Sequence, residues 1–471
     1  MEREEKDKKL LNSMDIFSLG FAGTIGSGIF VMLGWGIGYT GKSIVPAILL
    51  GCLIMMGCYF YNIALASMFV FDGGDYQMKA LLFSTVPAGV SAMFNFFDGF
   101  AMTAYATAMV DYISSIYPGI KPFKGIAAIL IITLFFAVSV KGSKIVARVE
   151  NAMTYILLAA IILFIVVGVP KVRPGYISSD FFTNGTTGFF LAISIMAYAC
   201  QGPTMGPVAV MSVTKKPKKV IPKMIFISTA AVAVVYSTMA YVAAGVLPIE
   251  QVAGQNLSMV AAHIFPYPLY VVFIIGGAVF AIATSLLAWI EMMRHPLLRV
   301  ARDGWLPAVF KKTTTTGYPW VIMLFFYLVT IMPIVSGFSL ESIVSLYMIP
   351  SMVLCGYCNF KCMRLPEKFP RQFESSMFRM PAPLFKGIMA VCTVCNVVIT
   401  AYLILSLGEG EVFYVILMLL FCIAVVMIRI RQGVISRETF NQKQQELISR
   451  LEQADDQIEE GESGYVYTEK L

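Results

Sequence analysis

Twelve long apolar runs dominate this chain of 471 residues, at 15–38, 44–70, 88–115, 123–140, 147–169, 188–211, 222–247, 268–292, 320–336, 340–361, 384–406 and 411–429. A helix rises about 1.5 Å per residue, so about 20 apolar residues cross a bilayer core of about 30 Å. Within that core every backbone amide and carbonyl needs an internal partner, which leaves helices or closed barrels. Barrel strands read as short alternating stretches, whereas these runs are continuous. Composition agrees: 58% of the residues are hydrophobic and 13% charged, and the mean hydropathy is +0.77. Soluble domains carry about 25% charged residues. The expectation is an all-α polytopic membrane protein with about 12 transmembrane helices.

The opening MEREEKDKKL lacks the apolar core and cleavage site of a signal peptide, so the first span is expected to stay in the mature protein. An excess of Lys and Arg marks the cytoplasmic side. With the N-terminus inside and twelve spans, only Lys42, Lys121, Lys124, Lys171 and Arg173 of the 35 basic residues fall outside. Both termini are therefore expected in the cytoplasm, with the chain in the plasma membrane. The net charge of +7 then follows from topology and contact with anionic lipid headgroups, and requires no nucleic-acid partner. Cys355-Gly-Tyr-Cys358 and Cys392-Thr-Val-Cys395 lie inside apolar runs with no histidine cluster, which favours small core residues over metal ligands. His263 and His295 are the only histidines, and no hydrolase triad assembles around them. Residues 431–471 are polar and read as a solvated cytoplasmic tail, or as a partner-binding helix over the helix-prone part at 436–460.

Two of the apolar runs carry residues that weaken a helix. The first contains FAGTIGSGIFV at 21–31, where Gly23, Gly26 and Gly28 each cost about 1 kcal/mol relative to alanine. Close packing between membrane helices is one use for such residues. The sixth reads FLAISIMAYACQGPTMGPV, interrupted by Gly202-Pro203 and Gly206-Pro207. Each proline removes an amide and clashes with the preceding turn. The two interrupted runs are five spans apart, and an odd-numbered unit repeated once reverses its orientation. That is the pattern of inverted-repeat transporters with broken helices at the midplane. A break exposes amides that suit a carboxylate and carbonyls that suit an ammonium or a metal cation.

GTIGSGIF resembles the first-span motif of the amino acid–polyamine–organocation (APC) transporter family. ALASMFVFDGGDYQM (64–78), KGSKIVARVENAMTYI (141–156), KKPKKVIPKMI (215–225) and RVARDGWLP (299–307) resemble further family segments in the same order. Together they cover residues 15–365. The resemblance implies a LeuT-type fold: a cytoplasmic N-terminus at 1–13, inverted five-helix repeats at 14–169 and 187–362, and two more helices at 383–430. The first span would be broken near 24–28 and the sixth near 198–203. It also implies site roles. Ser27 and Gly28, with Gly26 shaping the break, would offer amides to a substrate carboxylate. The carbonyls of Thr24, Met196 and Ala199 would take the ammonium. Tyr198 occupies the family's aromatic position in span six, while Met196 stands where relatives often carry a phenylalanine. Gln201 would hydrogen-bond either a substrate side chain or the broken backbone.

Members of this family couple to sodium, to protons or to exchange. Ala281-Ile282-Ala283-Thr284-Ser285 resembles the sodium site of LeuT-type symporters, in which hydroxyls and a carbonyl of span eight join two span-one carbonyls, here Ala22 and Ile25. Hard neutral oxygens suit such an ion; alternatively the hydroxyls bond back to their own helix. Leu157 stands where proton-coupled relatives place a lysine, which favours sodium. Asp98 is an intramembrane carboxylate and so a candidate for coupling or substrate contact, with a helix-packing hydrogen bond as the alternative. Glu291 and Arg294, three apart, are placed to pair. The expected function is secondary active transport of amino acids, neutral ones first, or related amines. No catalytic residue or cofactor is expected beyond a coupling sodium ion, and a non-transporting sensor on the same fold is the reading from another class.

Overall fold

The computed structural model describes residues 11–25, 28–71, 73–140, 143–176, 181–315 and 317–459. Nearly all of them are helical. The first apolar run forms α1 (Ser13–Ile25) and α2 (Gly28–Thr40), and the second forms α3 (Ile44–Cys58) and α4 (Phe60–Met68), followed by a short α5 (Gly74–Leu82). The third run is also split, into α6 (Thr85–Phe94) and α7 (Gly99–Ile116). The runs behind α8 (Lys124–Val140) and α9 (Ser143–Gly168) are unbroken, whereas the sixth divides into α10 (Gly185–Cys200) and α11 (Gly202–Ala209). After α12 (Pro217–Val246), a π-helical turn at Phe273–Val279 leads into α13 (Phe280–Arg302). The chain continues through α14 (Trp320–Val335), α15 (Leu340–Cys362), α16 (Ala382–Leu405), α17 (Glu409–Arg431) and α18 (Arg437–Glu459).

Among the described residues, eight helical stretches are long and apolar enough to cross a membrane. The other apolar runs of the sequence lie on helices that are interrupted or short. Interruption at membrane depth needs compensation, because the freed backbone groups find no water there. At the α3–α4 break, Asn359 supplies it. Its Nδ2 donates to the Gly57 and Cys58 carbonyls at 3.2 and 3.0 Å, and its Oδ1 accepts from the Tyr61 amide at 2.9 Å. Asn396 Nδ2 donates to the same Cys58 carbonyl at 3.3 Å. Two asparagines in apolar helices thus hold a discontinuity that neither helix's own sequence announces.

The interrupted helices lie at the centre. α10 packs against α2 and α3, α11 against α1, and α12 against α1, α3 and α4. α15 is central too: 72% of its most apolar window is buried, against 17% for Gly410–Arg431. At the rim, Val391, Val394 and Val397 on one face of α16 are 63%, 59% and 62% exposed. That exposure fits a surface solvated by lipid tails.

The C-terminal segment is not simply a solvated tail. Phe440, Leu447 and Leu451 recur at helical spacing on α18, and Phe440 and Leu451 are buried. Gln444 Nε2 donates to the carbonyls of Ala80, Leu81 and Phe83 at 2.8, 3.0 and 3.1 Å, capping the end of α5. Lys443 Nζ donates to the Asp303 carbonyl at 3.1 Å.

Candidate functional site

The two segments expected to be broken meet. α1 is described up to Ile25 and α2 from Gly28; Gly26 and Ser27, between them, lie outside the described residues. A Cβ at Gly28 would lie 2.4 Å from the Ala199 Cα, and one at Gly202 would lie 2.4 Å from Thr24 Oγ1 and 3.0 Å from Thr24 Cα. Glycine at both positions lets the two backbones touch, the use that small residues have in membrane packing. Gly23 differs, since a Cβ there would meet nothing within 4 Å. The segments flanking the breaks are tied as well: the Leu11 amide donates to the Val213 carbonyl at 2.8 Å, and the Lys215 amide to the Leu11 carbonyl at 2.9 Å.

The second break is made by chemistry more than by unwinding. Gln201 keeps right-handed angles, φ −79° and ψ −27°. What is missing is an amide: Pro203 has none to give the Ala199 carbonyl four residues before it. The Met196 carbonyl stays within α10. The Thr24 carbonyl already accepts from the Tyr236 hydroxyl at 2.6 Å, and its hydroxyl donates to the Gly20 carbonyl.

Around the junction the walls are aromatic. Tyr198 is buried, donates to the Ala101 carbonyl at 3.3 Å, and packs against Tyr105 and Tyr347. Trp289 Nε1 donates to the Tyr105 hydroxyl at 3.2 Å. Met196 is fully buried, and its Sδ would lie 2.9 Å from a Cβ at Gly36. Gln201 Oε1 accepts from Tyr59 and Tyr347 at 3.2 and 3.3 Å. The Cys200 and Cys52 sulfurs are 3.1 Å apart, joining the break to α3.

α13 packs against α1, which brings the 281–285 segment to the helix carrying Ala22 and Ile25. The Thr284 hydroxyl donates to the Ala281 carbonyl at 2.9 Å, a bond within its own helix. The Ser285 hydroxyl is buried and has no hydrogen-bond partner. Just upstream lies the π-helical turn Phe273–Val279, a feature that often accompanies functional sites. Leu157, on α9, is buried at 1% exposure.

Asp98 lies apart from the junction, in the four-residue turn between α6 and α7. It faces a cavity of about 30 Å³ that is also lined by Asp75, Lys79, Tyr59 and Tyr347. Lys79 Nζ and Asp75 Oδ2 pair at 2.6 Å, and Tyr61 donates to Asp75 Oδ1 at 2.6 Å. Glu291 and Arg294 approach at 3.9 Å, while Arg294 also lies over the Tyr318 ring, 5.0 Å from its centroid. Sequence reasoning missed the turn at 95–98 and the tyrosines on Gln201. The signal for the turn was Asn95 and Asp98 inside an apolar run; the tyrosines come from α15 and the α3–α4 break, far away in sequence.

The chain matches a family model described as amino acid permease over residues 11–428. It is 28% identical to an uncharacterized protein of Methanocaldococcus jannaschii over 66% of this chain and 72% of that protein. It is 25% identical to the branched-chain amino acid permease BcaP of Bacillus subtilis, over 66% of this chain and 70% of the relative. The cadaverine/lysine antiporter of Escherichia coli is 24% identical over 46% of this chain and 50% of its own length. The chain belongs to the amino acid permease family, as a multi-pass membrane transporter rather than an enzyme.

Proposed function

We propose that this permease moves a neutral amino acid across the plasma membrane by alternating access, with both termini in the cytoplasm. Two inverted repeats, 14–169 and 187–362, would rock about the junction of their broken helices. The observation that carries the reading is the contact of Gly28 with Ala199, where Pro203 leaves the Ala199 carbonyl without its helical donor. A break at 26–27 would give one side of that contact a helix N-terminus, suited to a carboxylate; the Ala199 carbonyl on the other side would suit an ammonium. Ser27 and Gly26 would complete the carboxylate side, and Thr24 and Met196 the ammonium side, with Tyr198 and Gln201 as walls. No charged residue occupies 21–31 or 190–208, so neither of these segments supplies a partner for a charged side chain. Similarity to a branched-chain amino acid permease points the same way.

Sodium is the proposed coupling ion, held by the carbonyls of Ala22, Ile25 and Ala281 and the hydroxyls of Thr284 and Ser285. The orphaned Ser285 hydroxyl supports this, because a buried hydroxyl without a partner costs about 1–3 kcal/mol. Uptake of labelled leucine into proteoliposomes, with and without an inward sodium gradient, tests both statements. Leucine exchange indifferent to sodium removes the ion and keeps the transporter; absence of exchange for every neutral amino acid tried removes the substrate class.

A further inference from the structure

We propose that the cavity at the 95–98 turn is a proton-binding site, with Asp98 as the group that takes the proton, and that its occupancy is read at the substrate junction through Tyr347 and Gln201. The inference rests on the transport reading above and adds to it a second coupling site, distinct from the 281–285 segment.

Two acidic side chains and one basic one line the cavity: Asp75 and Lys79 from α5, and Asp98 from the turn. Lys79 is engaged by Asp75 at 2.6 Å, and both are largely buried, with side-chain exposures of 10% and 21%. That pair is neutral as a unit. Asp98, half-buried, is then the charge left over, and a carboxylate partly removed from water is costly unless something positive joins it. Tyr59, at the α3–α4 break, and Tyr347, from α15, are the remaining titratable groups of the lining. Neither supplies positive charge.

Size and donors then select the ligand. A metal ion of the hard type takes six or more oxygen ligands. A volume of about 30 Å³ holds one or two waters. Two further lining groups, the Ser91 hydroxyl and Asn95 Nδ2, are buried without any hydrogen-bond partner. They are placed to hold a water that delivers the proton. In the loading step an O–H bond of a hydronium breaks and an O–H bond forms on the Asp98 carboxyl, leaving water; release to a water on the other side reverses it. No electron moves.

The link to the junction is made of two hydrogen bonds. Tyr347 and Tyr59 line the cavity, and both donate to Gln201 Oε1, between α10 and α11. An ionised Asp98 competes for hydroxyl donors nearby more strongly than a protonated one does. Loading the proton therefore strengthens the hold on Gln201, next to the Ala199 carbonyl.

The experiment uses the full-length chain in proteoliposomes with labelled leucine, together with infrared titration of the purified protein. With one proton carried per leucine, an inward gradient of one pH unit accumulates leucine about tenfold. Asp98→Asn should lose that accumulation while keeping leucine counterflow, and Asp98→Glu should restore it. Gradient-driven accumulation retained in Asp98→Asn, or wild-type accumulation indifferent to the gradient while counterflow proceeds, overturns the inference and leaves the transport reading intact. If wild type does not counterflow leucine, the transport reading loses that substrate, and the infrared titration decides the proton site. A carboxylic-acid band that grows on acidification in wild type and is missing from Asp98→Asn supports the inference. Identical spectra overturn it.

Discussion

Gly28 and Ala199 meet so closely that a Cβ on the glycine would sit 2.4 Å from the alanine's Cα. The near atom is backbone, so no side chain can swing aside to make room. The first and sixth apolar runs are locked in register by this contact, and by the matching approach of Gly202 to Thr24.

Gly28→Ala should leave the protein in the membrane and reduce leucine binding at least tenfold, because α2 must shift away from α10. Forced shifts of this kind cost about 1–3 kcal/mol. Thermal-shift titration with leucine, alongside a membrane-fraction assay, measures both. Unchanged affinity would show that the contact is packing alone.

Tyr236→Phe removes the hydroxyl that donates to the Thr24 carbonyl at 2.6 Å. If that carbonyl turns to substrate ammonium only when the tyrosine releases it, the variant should bind leucine more tightly and unfold at a lower temperature. A buried acceptor left without its donor costs about 1–3 kcal/mol. Paired melting curves with and without leucine check the two directions together.

Ser285→Ala carries a sign that separates two roles. With no ligand, deleting a buried unpartnered hydroxyl is neutral or stabilising. The variant should therefore melt at or above the wild-type temperature in sodium-free buffer, and should lose any rise in melting temperature that sodium produces in wild type. A sodium-induced rise of equal size in both proteins would exclude Ser285 as a ligand.

Gln444→Leu withdraws the amide that caps the Ala80, Leu81 and Phe83 carbonyls. The end of α5 should then open more often. Hydrogen exchange at residues 80–84 should rise, with exchange in α15 unchanged. Equal protection in the variant would mean that the apolar seat of Phe440 and Leu451 alone holds α18 in place.

The membrane class of this protein was legible in its sequence because continuous apolar length is a one-dimensional property. So was the proline-marked break of the sixth run, since proline acts on its own backbone; the break expected near 24–28 falls partly on Gly26 and Ser27, outside the described residues. A five-span separation paired the glycine-rich and proline-bearing segments, and Gly28 does lie against Ala199. The interruption at 58–60 carried no such mark. It exists because Asn359 and Asn396 satisfy its carbonyls, and a partner three hundred residues away has no local signature. The same holds for Tyr236 on Thr24 and for the two tyrosines on Gln201. Read alone, the tail was polar and looked solvated; docking depended on finding three free carbonyls at the end of α5. Asp98 stood out at once as a carboxylate in an apolar run, but the ion pair beside it came only with folding. Residue type and spacing determine what a segment can do by itself. Which unsatisfied groups find one another is decided in three dimensions, where a buried polar atom must be matched by whatever the packing brings within reach.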